Sequence, residues 1–283
     1  MKKRVQRTGG GRSSLRQQVK EHPRLAAVYV VLRVLVVLVM IAQIFNGNFE
    51  NVFLCVLTLA LFTLPSFIER TIRIDVPDTL EVIILLFIFA AEILGEIRAY
   101  YIYFPHWDTM LHTLNGFLCA AIGFSLLDIL NRSERMSFQL SPVYLALMSF
   151  CFSMTIGVLW EFFECLMDQF FLLDMQKDTV VGAISSVMLD PSGGNTPTAI
   201  QGITDVIVVT AGGAQYSLGL GGYLDIGLLD TMKDLFVNFI GAAAFSIIGY
   251  FYVKNRGKGT FARRFIPQVI RSQPGQDEAP HPR

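Results

Sequence analysis

Six apolar runs, each about 20 residues long, leave this 283-residue chain few folds to adopt. They cover Leu25 to Phe45, Val52 to Ile68, Thr79 to Ile97, Thr109 to Leu130, Pro142 to about Phe163, and Leu228 to Val253. A 20-residue helix rises about 30 Å, the thickness of a bilayer's hydrocarbon core, so each run is long enough to span. Composition agrees, because 53% of residues are hydrophobic and only 16% are charged. The expected fold is an all-α polytopic membrane protein with six transmembrane helices. Local signals mark two of the edges: Asp78 with Glu81 resembles a capping box, and Ser141-Pro142 supplies an N-cap followed by a helix-starting proline. Arg33, inside the first run, is close enough to its end to snorkel to the headgroups.

The net charge of zero hides an asymmetry. Residues 1–24 hold eight Lys or Arg against one acid, and residues 254–283 hold seven against two. Short loops with cations belong in the cytoplasm. Arg70 and Arg73 lie between the second and third runs, and Arg132 and Arg135 between the fourth and fifth. On the other side, residues 46–51 carry no cation, 98–107 carry Arg98 alone, and 171–227 carry Lys177 alone. Both termini are therefore expected in the cytoplasm. Residues 1–24 read as a basic arm, 25–253 as the membrane domain with an outer loop over 171–227, and 254–283 as a basic, disordered tail. The expected partner is the lipid bilayer, with anionic lipid at the basic termini and no nucleic acid.

This topology sets the depth of the polar residues inside the runs. Asp108, His112 and Asn115 fall on one helical face, with Asp108 at the outer mouth of the fourth run and His112 one turn, about 6 Å, deeper. Glu161 and Glu164 come about 20 residues after the cytoplasmic start of the fifth run, near its outer end, with Asp168 continuing the stripe. The sixth run re-enters with Asp230, Lys233, Asp234 and Asn238. Glu92 and Glu96 are toward the outer end of the third. An ionisable group within a span costs about 2–3 kcal/mol or more unless it faces a cavity or a partner. Acids facing inward at this density bind a cation, share protons or hold raised pKa values.

The outer loop is rich in glycine, as in Gly193-Gly194, Gly212-Gly213 and Gly221-Gly222. Thr204 to Thr210 is β-prone and Gln215 to Leu218 more weakly so, with glycines between them, which suggests a hairpin. A long loop tethered between two site-bearing helices is placed to act as a lid, and a plain surface excursion fits equally well. Cys55, Cys119, Cys151 and Cys165 all fall within apolar runs and suggest neither a disulfide framework nor a zinc site. The chain has no Gly-x-Ser-x-Gly elbow, phosphate-binding Gly-Lys-Ser/Thr loop, Cys-x-x-Cys pair or dinucleotide fingerprint. Those absences argue against an ATPase, a common serine hydrolase and a redox enzyme.

Taken in order, Asp108-x-x-x-His112, Trp160-Glu161-x-x-Glu164 and Asp230-x-x-Lys233-Asp234 leading to Gly241 resemble the YjdF family of bacterial inner-membrane proteins. The resemblance covers most of the chain from the third run onward. It implies a fold and a place in the bacterial cell membrane, since the family has no settled function. More faintly the pattern resembles VanZ-like membrane proteins, which are linked to glycopeptide tolerance. That family carries an Arg-containing segment before its last motif, and no comparable Arg precedes Asp230.

Three function classes fit these residues. The first is an outward-facing intramembrane enzyme for a lipid or lipid-linked substrate. Its divalent cation is held by Asp108, His112, Glu161, Asp230 and Asp234, with Glu164, Glu161 and His112 in catalytic roles and Asn115, Lys233 and Asn238 on the substrate. Oxygen-rich ligands with one imidazole favour Mg, Mn or Ca over zinc. The second is a cation- or proton-coupled transporter, against which stand the lack of an evident internal repeat and of paired broken helices. The third is a structural or sensory membrane protein whose polar layer fixes helix packing.

Overall fold

The computed structural model describes residues 22–72, 74–131, 139–255, 261–266 and 268–269. The basic arm, apart from its last three residues, therefore lies outside the described residues, as do 132–138 and 270–283. Helices dominate: α1 (Pro23–Phe45), α2 (Phe49–Leu61), α3 (Leu64–Ile72), α4 (Asp78–Phe89), α5 (Tyr100–Tyr103), α6 (Trp107–Asn131), α7 (Pro142–Phe171) and α8 (Leu228–Lys254). Five stretches are long and apolar enough to cross a membrane: Pro23–Phe45, Phe49–Glu69, Trp107–Asn131, Pro142–Phe171 and Leu228–Lys254. The third apolar run is not among them. It is divided between α4 and a π-helix over Ala90–Ile97, and it carries three carboxylates, Glu81, Glu92 and Glu96.

Helix starts follow local chemistry in part. Ser141 Oγ accepts the Tyr144 amide at 3.2 Å, as an N-cap should, and Asn48 caps α2 through the Asn51 amide at 3.0 Å. The expected capping box at α4 does not form. Pro77 occupies the N-cap, Asp78 pairs with His22 Nδ1 at 2.6 Å, and Glu81 accepts the Tyr29 hydroxyl at 2.7 Å. Tertiary partners from α1 and the residue before it have claimed both carboxylates. Arg33 lies over the Tyr29 ring, 5.1 Å from its centroid.

The chain divides into two compact units, Met1–Met154 with Asn238–Arg283, and Thr155–Val237. In the first, α1, α2 and α4 enclose one core that includes Val36, Cys55, Phe62 and Leu85. A second core lies around Phe124, Phe245, Ala242 and Leu145. Here α6 and α8 touch backbone to backbone: a Cβ on Gly116 would land on the Asn238 carbonyl, and one on Gly241 on the Thr113 carbonyl. Small residues at a helix crossing permit this approach, which dispersion forces reward where no hydrophobic effect operates between helices. Ser153 Oγ donates to the Gly116 carbonyl and Ser149 Oγ to the Ala120 carbonyl, both at 2.7 Å, binding α7 to α6.

The tail expected to be disordered contributes to this second core. Ala262, Phe265 and Ile266 are buried, and the Phe265 ring meets Phe117 edge-on at 5.2 Å. Strand β8 (Gln268–Val269) pairs antiparallel with β1 (Ile74–Asp75). Ala262, Phe265 and Ile266 form a short apolar cluster beyond the last span, and that is the feature which holds the segment down.

The second unit contains the end of α7, the loop and the start of α8. Its strands form three antiparallel pairs: β2 (Val180–Val181) with β7 (Tyr223–Leu224), β3 (Ala183–Ser186) with β4 (Thr198–Gln201), and β5 (Ile207–Val209) with β6 (Gln215–Ser217). The last pair is the hairpin expected from the sequence. Gly213, at φ 79°, completes its turn in a conformation that an L side chain rarely adopts. Aspartates fold the rest. Asp168 accepts the Met175 and Gln176 amides at 2.7 and 2.8 Å, and Asp225 accepts those of Thr179 and Leu229 at 2.7 and 2.9 Å. Charge-assisted bonds to backbone amides thus do here what apolar burial does in the bundle.

Candidate functional site

In the first unit, the N-terminal half of α6 carries the polar stripe. His112 Nε2 lies 3.4 Å from Asp108 Oδ1, one turn apart on the same helix. The imidazole is buried, whereas the carboxylate keeps about a quarter of its surface exposed. One turn further along, Asn115 Nδ2 donates to Asn238 Oδ1 at 3.3 Å, and Asn238 Nδ2 is 3.6 Å from Met154 Sδ. Cys119 completes the group by donating its thiol to Asn115 Oδ1 at 3.4 Å. Asn115 and Asn238 are therefore occupied with each other, at the Gly116 crossing.

An aromatic cap covers the start of α6. Tyr100 meets Phe104 at 4.4 Å and Trp107 edge-on at 4.9 Å. Ala99 and His106, on either side of α5, both hold positive φ, at 55° and 69°, so this short corner is locally strained. The Trp107 Nε1 hydrogen is buried and has no acceptor among the described residues. Buried donors are nearly always satisfied, which sets this one apart. The π-helix that packs against α6 and α5 brings Glu92, half-buried, to this end of the unit, while Glu96 is exposed.

In the second unit, Glu161 and Glu164 are both buried. Glu164 Oε1 accepts the Trp160 indole N–H at 2.8 Å, an interaction within one turn of α7. Asp230, Lys233 and Asp234 form a single group at the start of α8: Lys233 Nζ is 2.6 Å from Asp230 Oδ1 and 3.6 Å from Asp234 Oδ1. The second Asp230 oxygen accepts the Lys177 amide at 2.9 Å. Asp230 is thus divided between an ammonium group and a loop amide, and Lys233, expected on the substrate, serves as ion-pair partner to two aspartates. Asp168, expected to extend the Glu161–Glu164 stripe, has both oxygens on loop amides.

Sequence reasoning missed two buried acids. Asp128 lies near the C-terminal end of α6 and Glu81 in the first turn of α4, both under a tenth exposed. Each sits within a few residues of a run's end, the place where a solvated carboxylate is the ordinary expectation, so no periodicity distinguished them.

Four loop carboxylates have shifted pKa values. The Ser217 hydroxyl with the Gly219 and Val206 amides lowers Asp205, and the Ser192 hydroxyl and amide lower Asp190. Desolvation pushes Asp225 upward, but the amides of Thr179, Leu229 and Gly227 outweigh it and the net shift is downward. Asp178 is raised, first by desolvation and then by Asp174, Asp225 and Asp168.

Comparison with known proteins bears on residues 27–255, which match the model of a family described as "Predicted membrane protein (DUF2238)". No curated protein and no solved structure matches the chain. The chain belongs to that family, whose description fits the YjdF-like resemblance and assigns no activity.

Proposed function

We propose that this chain is a multi-pass protein of the bacterial cell membrane whose polar layer, on the outer side, holds a divalent cation and acts on a lipid or lipid-linked phosphate. The observation that carries the reading is the Asp108–His112 pair, closed below by the Asn115–Asn238 hydrogen bond. Asp108, His112 and Asp234 are the proposed ligands, a set of two carboxylates and one imidazole suited to Mg, Mn or Ca. Helix periodicity supports the choice. Asp108, His112 and Asn115 share one stripe of α6, Asp230, Asp234 and Asn238 share one stripe of α8, and the two asparagines are bonded to each other. Asp230 is the weaker candidate, because Lys233 Nζ is 2.6 Å from one of its oxygens, against 3.6 Å for Asp234, and the Lys177 amide occupies the other.

The chemistry proposed is that of a cation that neutralises phosphate charge or lowers the pKa of water, with Glu164 or Glu161 moving the proton. Trp107 Nε1–H is the donor available to a substrate oxygen. The topology that goes with this reading is six spans, both termini in the cytoplasm, and α4 with its π-helix as the third. The test is metal analysis of detergent-purified protein together with thermal unfolding. Added Mg, Mn or Ca should stabilise the wild type, by about 2.7 kcal/mol at 100 times Kd, and leave Asp108→Asn/Asp234→Asn unchanged. A wild type that neither retains a metal nor responds to one overturns the proposal.

A further inference from the structure

The β5–β6 hairpin has two unlike faces. Its register pairs Val208 with Tyr216 and Ile207 with Ser217, and the Leu218 amide continues the ladder to the Val206 carbonyl at 3.0 Å. Because side chains alternate along a strand, Val206, Val208, Tyr216 and Leu218 share one face, and among these four the one polar group is the Tyr216 hydroxyl. Asp205, Ser217 and Gln215 are on the opposite face with Ile207 and Val209, and Asp205 accepts the Ser217 hydroxyl there. Apart from half-buried Val206, the apolar face is exposed: Val208 is 44%, Tyr216 58% and Leu218 36% exposed. An apolar face open to this extent marks a surface that something covers.

We infer that the β5–β6 hairpin lies on the bilayer, with the Val208–Tyr216–Leu218 face against the leaflet from which the loop emerges. The apolar surface at the loop's two roots argues for lipid as the occupant. Phe170, Phe171 and Leu172 at one root of the loop, and Ile226 and Leu228 at the other, are exposed apolar residues where two membrane-crossing helices end. Between those roots, no residue from Val206 to Leu224 is charged. A tyrosine on the buried side suits the headgroup region, where its ring is wanted by the acyl chains and its hydroxyl by water. Depth is limited by the backbone, since a two-stranded ladder has two open edges whose N–H and C=O groups need water or headgroups. The hairpin therefore rests at the interface without penetrating the hydrocarbon. Over 171–227 the loop has five Asp and one Lys, so a neutral zwitterionic surface suits it better than an anionic one. None of this depends on a cation in the polar layer.

Nitroxide labels decide the matter in the full-length protein, reconstituted in phosphatidylcholine vesicles, with the exposed Cys151 and Cys165 replaced by Ala. Labels at Val208→Cys and Tyr216→Cys should be relaxed more by oxygen, which partitions into lipid, than by a water-soluble nickel chelate. A label at Gln215→Cys, adjacent but on the other face, should show the reverse ratio. The same background without an added cysteine sets the unspecific signal, and a fourth label at Ser192→Cys reports a water-exposed turn. Nickel accessibility at 208 and 216 equal to that at 192 would overturn the inference by placing the hairpin in water. Shielding of 208 and 216 from both reagents would overturn it too, by showing that protein, including a second copy of the chain, covers the face.

Discussion

Asn115 donates its side-chain amide to Asn238 Oδ1 at 3.3 Å, directly beside the point where a Cβ on Gly116 would strike the Asn238 carbonyl. The polar bond and the closest approach of α6 to α8 are thus the same place. Glycine makes the approach, and the approach lets two short amide side chains meet. A bonded amide pair inside an apolar bundle also fixes register, because any slip leaves both amides unsatisfied.

Enlarging a glycine at this crossing should therefore be costly. Gly241→Val or Gly116→Val forces backbone apart from backbone, and each should destabilise by about 2–3 kcal/mol, the upper part of the range for overpacking. Asn238→Leu should cost less, about 0.6–1.7 kcal/mol, the span measured for hydrogen bonds between membrane helices. Gly182→Ala, which meets nothing within 4 Å, is the control and should stay within about 0.5 kcal/mol of wild type. Thermal unfolding in detergent gives all four values.

The segment after the last span should prove part of the fold. Phe265 is 7% exposed and meets Phe117 and Phe245 edge-on. Phe265→Ala should cost about 3 kcal/mol, the lower end for a buried phenylalanine. A chain ending at Asn255 should lose at least as much. Full stability in both would show that the segment adds nothing to the core.

The loop should open in acid. Asp190, Asp205 and Asp225 have folded-state pKa values below the ordinary 3.8, so each contributes its stabilisation in full above that value. The contribution is lost as pH falls through the lowered folded-state value. Amide protection factors within 174–226, which divide out the intrinsic pH dependence of exchange, should accordingly hold from neutral pH down to about 4 and fall below it. Asp205→Asn should open the hairpin base at neutral pH. Asp178 has the opposite sign: its pKa is raised, so ionisation works against the fold and Asp178→Asn should tighten the loop at neutral pH.

What could be read in advance was whatever local sequence controls. Ser141-Pro142 opens a helix because cap and proline act on the same turn, and Ile207–Val209 with Gln215–Ser217 form a hairpin because a short glycine turn joins β-prone strands. Longer separations hid the rest. The β3–β4 pair is connected through an 11-residue excursion, β1 meets β8 across about two thirds of the chain, and Asp78 and Glu81 were taken by His22 and Tyr29 more than 50 positions away. Within the site, Asp108 lies beside His112 and Asn115 bonds Asn238, residues that spacing had put on shared helical faces, but spacing treated every acid alike. Loop amides take both oxygens of Asp168 and one of Asp230, whose other oxygen is held by Lys233, and no periodicity reveals which amides a loop will turn inward.

Glu161 and Glu164 offer the sharpest test of the enzymatic reading, because both are buried in α7 and Glu164 accepts the Trp160 indole N–H. A glutamine at 164 keeps an oxygen for that indole, so if anchoring Trp160 is all Glu164 does, Glu164→Gln should change stability by under about 0.5 kcal/mol and leave metal binding and turnover intact. As a general acid or base, the same variant should keep its stability and its metal and lose turnover by roughly 100-fold or more. Glu161 is the more deeply placed of the two along α7. In a ligand role, Glu161→Gln should weaken the metal-induced rise in thermal stability, which is read without any substrate. The pair is to be measured for unfolding temperature with and without Mg, Mn and Ca, and for turnover of lipid extracts. Two silent substitutions would remove both residues from the site and leave Asp108, His112 and Asp234 to stand without them.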